Sequence, residues 1–236
     1  MLRSDTILTV SESSARDIRH FFRRRATVIP PVFSDLSDIT ADGLLPSRLK
    51  DRSYVVYNGG LDPRKNVPNL LRAFALVSEK WSDLNLVMVG NGYEVFDSEI
   101  ESLGISERVV RTGYVDDETR TAILKAAVAV AYPSLYEGFG LPLLEAFAVR
   151  TPVLTAANSS LVEVAGDAAI CVDPRDPASI ATGLLQMRDP QVAETLRAKG
   201  LARLERFNPA VSRERLGAEL VKAAARRRAE RSRRGS

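Results

Sequence analysis

The sequence is poor in the side chains that form disulfides and structural metal sites. Its 236 residues include one cysteine, Cys171, and one histidine, His20. A single cysteine excludes a disulfide framework within the chain, and the two residues together leave no Cys/His cluster for structural zinc. The fold must therefore be stabilised by a packed core, for which a hydrophobic content of 45% is ample.

Long hydrophobic runs are also missing. The longest run, AAVAVAY, stops at Pro133 and is far shorter than the ~20 residues that span a bilayer. The first residues, MLRSDTILTV, carry charges at Arg3 and Asp5 around a short apolar stretch, which does not match a secretion signal. These features predict a cytoplasmic protein.

Positive charge is concentrated at one end. Residues 222–236 hold seven basic residues and one acidic residue, a net charge of +6. Because the whole chain has a net charge of +3, the other 221 residues have a net charge of −3. Such a tail is typical of a solvated terminus, although it also suits an anionic membrane at the inner face. Nucleic acid is a poor partner because the body is acidic and no reader motif is present.

A second basic cluster lies near the amino terminus. Arg19 and residues 23–25, all arginine, surround Phe21 and Phe22. We interpret the aromatic pair as the buried face of a short helix, with the arginines at its solvent end.

Short β-branched runs alternate with amphipathic stretches along the chain. This alternation predicts an α/β fold with a doubly wound, Rossmann-like parallel sheet covered by helices. The predicted strands are Thr6–Val10, Thr27–Ile29, Tyr54–Tyr57, Leu86–Val89, Val109–Thr112, Val128–Ala131, Val153–Thr155 and Ala169–Val172. The predicted helices are Ser13–Phe22, Val67–Glu79, Phe96–Leu103, Asp117–Lys125, Leu141–Val149, Pro177–Met187 and Val192–Arg206.

The alternation is interrupted once, at Pro30–Asp51. This stretch has three prolines and no clear periodicity, so we interpret it as a connection. We therefore divide the chain into an amino-terminal strand-helix-strand remnant with its connection (1–50), a complete doubly wound domain (51–207) and a carboxyl-terminal helix with the basic tail (208–236). The remnant is too small to bury a core of its own.

The segment SLYEGFGLPLLEA carries the strongest chemical signal. It follows a predicted strand, and Gly138 and Gly140 interrupt a loop that leads into a helix with Pro142 in its first turn. A helix start of this kind binds anions such as phosphate. The carboxylates of Glu137 and Glu145 would repel a phosphate, and they suit the vicinal hydroxyls of a hexose or a ribose instead. Alternatively, Glu145 is a helix-terminal charge and Glu137 a surface residue.

The segment YNGGLDPRKN is the second candidate. It also leaves a strand end, and its Arg64 and Lys65 stand where cations would meet a diphosphate, whereas alone it would be read as an ordinary basic turn. Asn66 is positioned to cap the following helix. The VMVGNG loop with Gly92 lacks the third glycine of a dinucleotide-binding motif, which argues against NAD.

One further loop lies between a predicted strand and a helix. Its Tyr114 and Val115, within RTGYVDD, either flank a nucleotide base or pack in the interior.

Taken in order, several segments resemble one family. They are TVSESSARDI, VIPPVFSD, YNGGLDPRKNVPNLLRAFALV, LVMVGNG, RTGYVDDETRTAILKAAVAVAYPSLYEGFGLPLLEA and TPVLTAANSSLVEVAGDAAICVDP. They are similar to the carboxyl-terminal, sugar-donor-binding half of GT-B retaining glycosyltransferases (glycosyl transferases group 1), which include mannosyltransferases and sucrose synthase. The resemblance implies a nucleotide-diphosphate sugar as substrate, retention of configuration and no cofactor or protein-bound metal.

The resemblance also assigns roles to residues. Lys65 and Arg64 would hold the diphosphate and Glu137 the sugar hydroxyls, and these three are the candidate catalytic residues. The remaining candidates would bind the rest of the nucleotide sugar, with Glu145 on the ribose and the Tyr114–Val115 backbone on the base: Gly60, Gly92, Tyr114, Val115, Gly138, Phe139, Gly140, Leu141 and Glu145.

The chain departs from the family pattern in two ways. Many relatives have an arginine where this chain has Gly60, so diphosphate binding would depend on Arg64 and Lys65. Residues 1–50 correspond only to the end of the amino-terminal domain, which in the family binds the acceptor. We therefore expect a chain that is inactive alone and works with a separate amino-terminal half or by self-association. The alternative is a non-catalytic nucleotide-binding or assembly module.

Overall fold

The structure is a computed structural model that describes residues 6–33, 36, 39 and 43–234, with side chains described up to residue 228. The side chains of Arg231, Arg233 and Arg234, which belong to the predicted basic tail, lie outside this part. A six-stranded sheet forms the centre, in the order β5-β4-β3-β6-β7-β8, and each neighbouring pair is parallel. The predicted α/β class and doubly wound sheet are thus confirmed.

The strands and helices follow the predicted alternation. The strands are β1 (Leu8–Thr9), β2 (Thr27–Val28), β3 (Ser53–Tyr57), β4 (Leu84–Val89), β5 (Val109–Gly113), β6 (Ala129–Tyr132), β7 (Val153–Ala156) and β8 (Ile170–Val172). The helices are α1 (Glu12–Phe22), α2 (Val67–Ser78), α3 (Asp97–Ser102), α4 (Asp117–Ala126), α5 (Leu141–Ala148), α6 (Ser159–Ala165), α7 (Pro177–Gln186), α8 (Pro190–Leu204) and α9 (Pro209–Arg234). Helix α6 was not among the predicted helices, because its seven residues are too few to show a helical period.

The sheet is buried on both faces, as expected for a parallel sheet between two helix layers. All six residues of β4 are buried. Helix α2 buries Leu70, Leu71, Phe74 and Val77, which lie at helical spacing in the sequence. Strands β3 and β6 are neighbours although they are not consecutive, so the strand order reverses between them, and ligands bind at the carboxyl ends of strands at such a point.

The amino-terminal remnant forms a small strand-helix-strand unit that is separate from the six-stranded sheet. Strands β1 and β2 pair in parallel and α1 connects them. Helix α1 begins at the cap residue Ser11, whose hydroxyl accepts the Ser14 N–H, and ends at Arg23, which is left-handed with φ 54°. It packs against α6, and the carboxylate of Glu163 accepts the N–H groups of Glu12 and Ser13.

The interpretation of the aromatic pair as a buried face was wrong. Phe21 is 71% exposed and Phe22 is 49% exposed. Ser13 is the residue of α1 that is buried. The apolar face of this helix has no sheet of sufficient size beside it, since β1 and β2 contribute two residues each.

Candidate active site

The site lies where β3 and β6 end. The loop after β3 contains a turn of 3-10 helix at Pro63–Lys65, and the loop after β6 runs from Pro133 to Gly140. The two loops are joined directly, because the Leu135 N–H donates to the carbonyl of Arg64 at 2.7 Å. The sheet topology therefore brings together two motifs that are about seventy residues apart in the chain.

Glu137 is the centre of a compact group of polar side chains. Its Oε1 accepts hydrogen bonds from Lys65 Nζ at 2.7 Å and from the Tyr132 hydroxyl at 2.9 Å, and its Oε2 accepts one from Arg64 Nη1 at 3.0 Å. Glu137 is 7% exposed. The three residues predicted to carry the chemistry are thus in direct contact, and a surface role for Glu137 is excluded.

The charge state of this group follows from its contacts. Burial raises the pKa of Glu137, but the hydrogen bond and charge of Lys65, with the hydrogen bond from Tyr132, bring the pKa below its ordinary value. Burial and the neighbouring carboxylate raise the pKa of Tyr132, so its hydroxyl remains a hydrogen-bond donor. At neutral pH the group contains one buried carboxylate between two cations.

Two asparagines donate hydrogen bonds to the backbone of the Pro133–Gly140 loop. Asn66 Nδ2 donates to the carbonyl of Pro133 at 2.9 Å and to that of Pro174 at 2.6 Å. The prediction that Asn66 caps α2 was therefore half right: it occupies the cap position, but its φ of 64° turns the side chain away and no capping bond forms. Asn158 Nδ2 donates to the carbonyl of Leu135 at 2.9 Å.

The first turn of α6 supports the same loop from below. The buried Ser160 hydroxyl lies 2.9 Å from the Glu137 carbonyl and 2.7 Å from the Phe139 carbonyl. The hydroxyl of Ser159 accepts the Glu137 N–H at 3.2 Å. These contacts fix the backbone on both sides of Glu137, so its carboxylate is held in position without relying on its ion pairs alone.

Helix α1 and its cap residue also contact this loop. The Ser11 hydroxyl donates to the Gly138 carbonyl at 2.8 Å, and the Ser14 hydroxyl lies 3.3 Å from the same oxygen. The Tyr136 hydroxyl donates to Asp17. The amino-terminal remnant is therefore part of the support of the predicted sugar-binding loop.

The start of α5 has the geometry that its sequence predicted. Gly140 has φ 125°, and a Cβ at this position would lie 3.0 Å from Leu161. No side chain caps the helix, Pro142 lacks an N–H, and the Leu143 N–H donates to the Gly140 carbonyl. The Leu141 N–H is consequently the first-turn group that can face an anion. Phe139 is buried beside the ring of Phe207.

The glycine-containing loops that follow β3 and β4 pack together. The Tyr57 hydroxyl donates to the Gly60 carbonyl at 2.8 Å, and the Gly60 N–H donates to the Tyr93 hydroxyl at 3.3 Å. A Cβ on Gly92 would lie 2.6 Å from Leu61, and both Gly60 and Gly92 have positive φ. Backbone conformation thus favours glycine at both positions, and at Gly92 a Cβ would also displace the Leu61 side chain.

Glu145 does not join the Glu137 group, because its partner lies on α4. Arg120 Nη1 is 2.7 Å from Glu145 Oε2, and the same guanidinium pairs with Asp117 at 3.1 Å. Burial raises the pKa of Glu145, and the charge of Arg120 only partly counteracts this. The reading of Glu145 as a plain helix-terminal charge is incomplete, since the residue is engaged by another helix.

The predicted base-binding pair lies further away, at the end of β5. Tyr114 is 81% exposed, so a packing role for its ring is excluded. Val115 is half-buried and packs against the core. Strand β5 is two positions from β3 in the sheet, which corresponds to a separation of roughly 10 Å.

Several residues of the site were missed by the sequence reasoning. Five such residues contact the predicted residues or the loop that carries them: Tyr132, Arg120, Asn158, Ser160 and Ser11. Four of them lie on elements other than the two motifs, so the spacing along the chain contains no signal for them. Tyr132 did have a signal in the sequence, because it is the last residue of the strand that leads into the motif.

No described helix has the length and apolar character needed to cross a membrane.

Comparisons with known proteins agree with this architecture. The family model described as "Glycosyl transferases group 1" matches residues 46–200. The chain is 34% identical over 216 residues to O-antigen chain mannosyltransferase B of Escherichia coli, covering 86% of this chain and 56% of that protein. It is 33% identical over 178 residues to MMP alpha-(1->4)-mannosyltransferase of Mycolicibacterium hassiacum, covering 74% of this chain and 42% of that protein.

A solved structure shares the fold over nearly the whole chain. Sucrose-phosphate synthase from Thermosynechococcus elongatus superposes with a TM-score of 0.80 at 24% identity, covering 94% of this chain and 59% of that one. The chain thus spans about half the length of the relatives that it matches. With the family model covering most of the doubly wound domain and the two site motifs in one place, the chain belongs to the glycosyl transferases group 1 family, whose members share the GT-B fold.

Proposed function

We propose that this chain is the donor-binding half of a retaining glycosyltransferase that moves a hexosyl group from a nucleotide-diphosphate sugar to an acceptor. The observation that carries the proposal is the buried Glu137 carboxylate held between Lys65 and Arg64 at the point where the strand order reverses. A carboxylate that can accept hydrogen bonds from hydroxyl groups lies beside two cations at the ligand-binding edge of the sheet. This combination fits a sugar attached to a diphosphate.

The cations have capacity left for a ligand. An ammonium has three N–H groups and a guanidinium has five, so neither is saturated by its bonds to Glu137. The Arg64 side chain is 44% exposed, which leaves part of its fork open to solvent. As the bond between the anomeric carbon and the phosphate oxygen breaks, negative charge grows on the diphosphate, and Lys65 with Arg64 would stabilise it. We propose no resident metal or other cofactor for this step.

The remaining contacts follow the geometry of the loop. In this proposal Glu137 accepts hydroxyl groups of the hexose, while the backbone at Phe139, Gly140 and Leu141 contacts sugar and phosphate. Glu145 would bind the ribose, and the Tyr114–Val115 backbone would contact the base. A mannosyl group is the proposed hexosyl group, since two of the relatives are named mannosyltransferases.

We further propose that a second half completes the cleft. The acceptor oxygen must be held in line with the anomeric carbon, and positioning of this kind is worth ~7–11 kcal/mol of the barrier. The exposed Leu8, Phe21 and Phe22 of the amino-terminal remnant are suited to pairing with a separate amino-terminal half or with another copy of the chain.

Contact with an anionic membrane is a separate part of the proposal. Helix α9 exposes Leu220 and Val221, and arginines follow further along the same helix, at 226–228. Apolar and basic side chains on one helix suit the interface of an anionic bilayer.

Calorimetric titration of a nucleoside diphosphate and of its sugar nucleotide tests the donor site. Glu137→Ala is expected to spare binding of the bare nucleotide and to weaken binding of the sugar nucleotide, whereas Glu145→Ala should weaken both, because the two carboxylates contact different parts of the ligand. Glu107→Ala, on the exposed turn before β5, is the matched control.

Two results would contradict the proposal. One is that the parent chain binds neither ligand. The other is that Glu137→Ala and Glu145→Ala affect the bare nucleotide equally. Transfer assays on the pure chain should show no product, and robust transfer without a partner would overturn the need for a second half.

A further inference from the structure

Two ion pairs in the described part of the chain differ from the others in burial. In Lys65–Glu137 the side chains are 13% and 9% exposed, and in Arg120–Glu145 they are 19% and 21% exposed. Every other pair has at least one partner that is more than 30% exposed, as in Arg150–Glu194 with 60% and 63%. Both of the protected pairs use a carboxylate of the EGFGLPLLE segment, but only in the first pair were both partners, Lys65 and Glu137, predicted as site residues from the sequence.

The contact between Arg120 and Glu145 is one-sided. Arg120 Nη1 donates to Oε2 at 2.7 Å, and Arg120 Nη2 is directed to Asp117 instead of to the second oxygen of Glu145. None of the described residues donates a hydrogen bond to Glu145 Oε1. A bidentate pair would be the stronger arrangement for stability, so this geometry leaves one oxygen of a fixed carboxylate available to a ligand.

The surroundings of Glu145 favour the neutral form of its carboxyl group. Burial and the charge of Asp117 both raise the pKa of the Glu145 carboxyl, and Arg120 is the cation that lowers it. Arg120 and Asp117, both on α4, are the charged groups that act on this carboxyl. Because hydrogen bonds from hydroxyl groups to an ionised carboxylate are roughly twice as strong as those to a neutral group, loss of the guanidinium would weaken Glu145 as an acceptor.

We infer that Arg120 is a positioning residue for the nucleotide: it holds Glu145 ionised and oriented so that Oε1 accepts the ribose hydroxyls. This inference rests on the proposed function, in which Glu145 binds the ribose. Arg120 acts through Glu145 and is assigned no contact with the ligand. The arrangement places a determinant of nucleotide affinity on α4, outside the segment that contacts the ligand.

The test measures affinity for a nucleoside diphosphate against pH. UDP and GDP are titrated calorimetrically into the 236-residue chain and its variants from about pH 5.5 to about pH 8.5, a range above the ordinary pKa of a glutamate. Arg120→Gln keeps a hydrogen-bonding side chain and removes the charge, and Arg120→Lys keeps the charge. Arg197→Ala, which breaks an exposed pair with Glu194 on α8, is the control.

The expected result has a definite sign. Removing the cation raises the pKa of Glu145, so the variant carries a neutral carboxyl over more of the range and binds more weakly as the pH falls. The ratio of parent to Arg120→Gln affinity should therefore grow toward low pH, by up to tenfold for each pKa unit gained, and shrink toward high pH. The ligand phosphate titrates identically with every variant and cancels in the ratio. Arg120→Lys should restore most of the parent profile, and Arg197→Ala should match it.

A Glu145→Gln background separates this role from a structural one. A glutamine cannot ionise, so the change at Arg120 should no longer alter the pH profile there. A ratio that is constant over the whole range, or one that still varies with pH in the Glu145→Gln background, would overturn the inference while the proposed function stands. Absence of nucleotide binding by the parent would overturn both.

Discussion

At the scale of single residues, the site depends on one carboxylate in a position that would otherwise be unfavourable. Glu137 is buried, and burial alone would raise its pKa and favour the protonated form. Lys65, Arg64 and the Tyr132 hydroxyl compensate for the lost hydration, so the ionised form is the stable one. The Glu137 carboxylate is thus ionised and positioned to accept hydrogen bonds from a sugar before a ligand binds. The cations that stabilise it, Lys65 and Arg64, are also those proposed to bind the diphosphate.

The first prediction concerns the stability of this group. Lys65→Met, which keeps the length of the side chain and removes its charge, should lower the free energy of unfolding by about 1–3 kcal/mol at neutral pH. The folded-state pKa of Glu137 lies below its ordinary value of 4.5, so the contribution is present above that value and is lost as the pH falls through the folded-state pKa. Urea unfolding of parent and variant at neutral pH and near pH 4 measures the loss of stability and its dependence on pH.

Two further variants control this prediction. Lys199→Met removes a cation from an exposed pair with Asp167 and should cost about 0–1 kcal/mol. Adding Glu137→Gln to Lys65→Met should recover most of the stability, because the unpaired carboxylate is then gone. A double variant as unstable as the single one would show that Lys65 acts by packing and not by charge.

At the scale of elements, helix α1 of the remnant β1-α1-β2 is joined to the doubly wound domain by several polar contacts. Glu163 binds the N–H groups at the start of α1, and Ser11 and Tyr136 connect α1 with the loop that carries Glu137. Helix α1 buries little apolar surface. Hydrogen bonds of this kind are individually weak, so the order of the loop should respond to changes in α1.

Ser11→Ala tests this connection. It removes the cap of α1, at a cost of about 1 kcal/mol, and also the bond to the Gly138 carbonyl. Hydrogen exchange followed by mass spectrometry should show faster exchange in residues 133–140. Asp189→Ala removes the cap of α8, which has no contact with this loop in its capping role, and should leave exchange there unchanged. Equal protection of the loop in parent and Ser11→Ala would refute the coupling.

Two helical glycines provide an internal comparison of packing. In α7, a Cβ on Gly183 would lie 2.7 Å from Leu154 and from Val172, so Gly183→Ala should destabilise the protein by about 1–3 kcal/mol. In α9, nothing lies within 4 Å of a Cβ on Gly217, so the same substitution should stabilise by about 0.5–1 kcal/mol. Melting temperatures should shift in opposite directions, and two shifts of the same sign would contradict the packing of α7 on the sheet.

At the scale of the whole molecule, the chain has one well-covered sheet and one sparsely covered unit. The six-stranded sheet is enclosed by helices, whereas the amino-terminal remnant exposes aromatic side chains beside several arginines. Each large apolar side chain left in water forgoes ~1.5–3 kcal/mol of burial. This imbalance is the physical basis for the proposal that the remnant pairs with a second half or with another copy.

Phe22→Asp tests whether the remnant mediates association. The parent chain should show a scattering mass that rises with concentration, and the variant should remain closer to a monomer, because a charge at this position opposes burial. Val95→Asp places the same charge at a residue that is 72% exposed on another surface and should behave as the parent. A parent that stays monomeric at high concentration would refute self-association and leave pairing with a separate half to be tested by co-purification.

Much of the architecture was accessible without the structure. All eight predicted strands are present with small differences at their ends, because β-branched runs between turn residues are a local property of the chain. The carboxyl end of each strand was therefore known, and with it the edge at which Arg64, Lys65 and Glu137 would meet. The short α6 and the role of Asn66 were not accessible, since a seven-residue helix has too few turns and a left-handed backbone redirects a cap residue.

The sequence by itself determined the fold class, the two motifs and the kinds of side chain at the site, since these depend on periodicity and on residue type. Only the tertiary structure decided which charges pair. In the structure Glu145 pairs with Arg120 on α4. Glu137 contacts Tyr132 and Lys65, and Phe22 is exposed. The reason is that pairing and burial depend on distances across the sheet and between helices, and residues that are distant in the chain become neighbours only when the strands take their order.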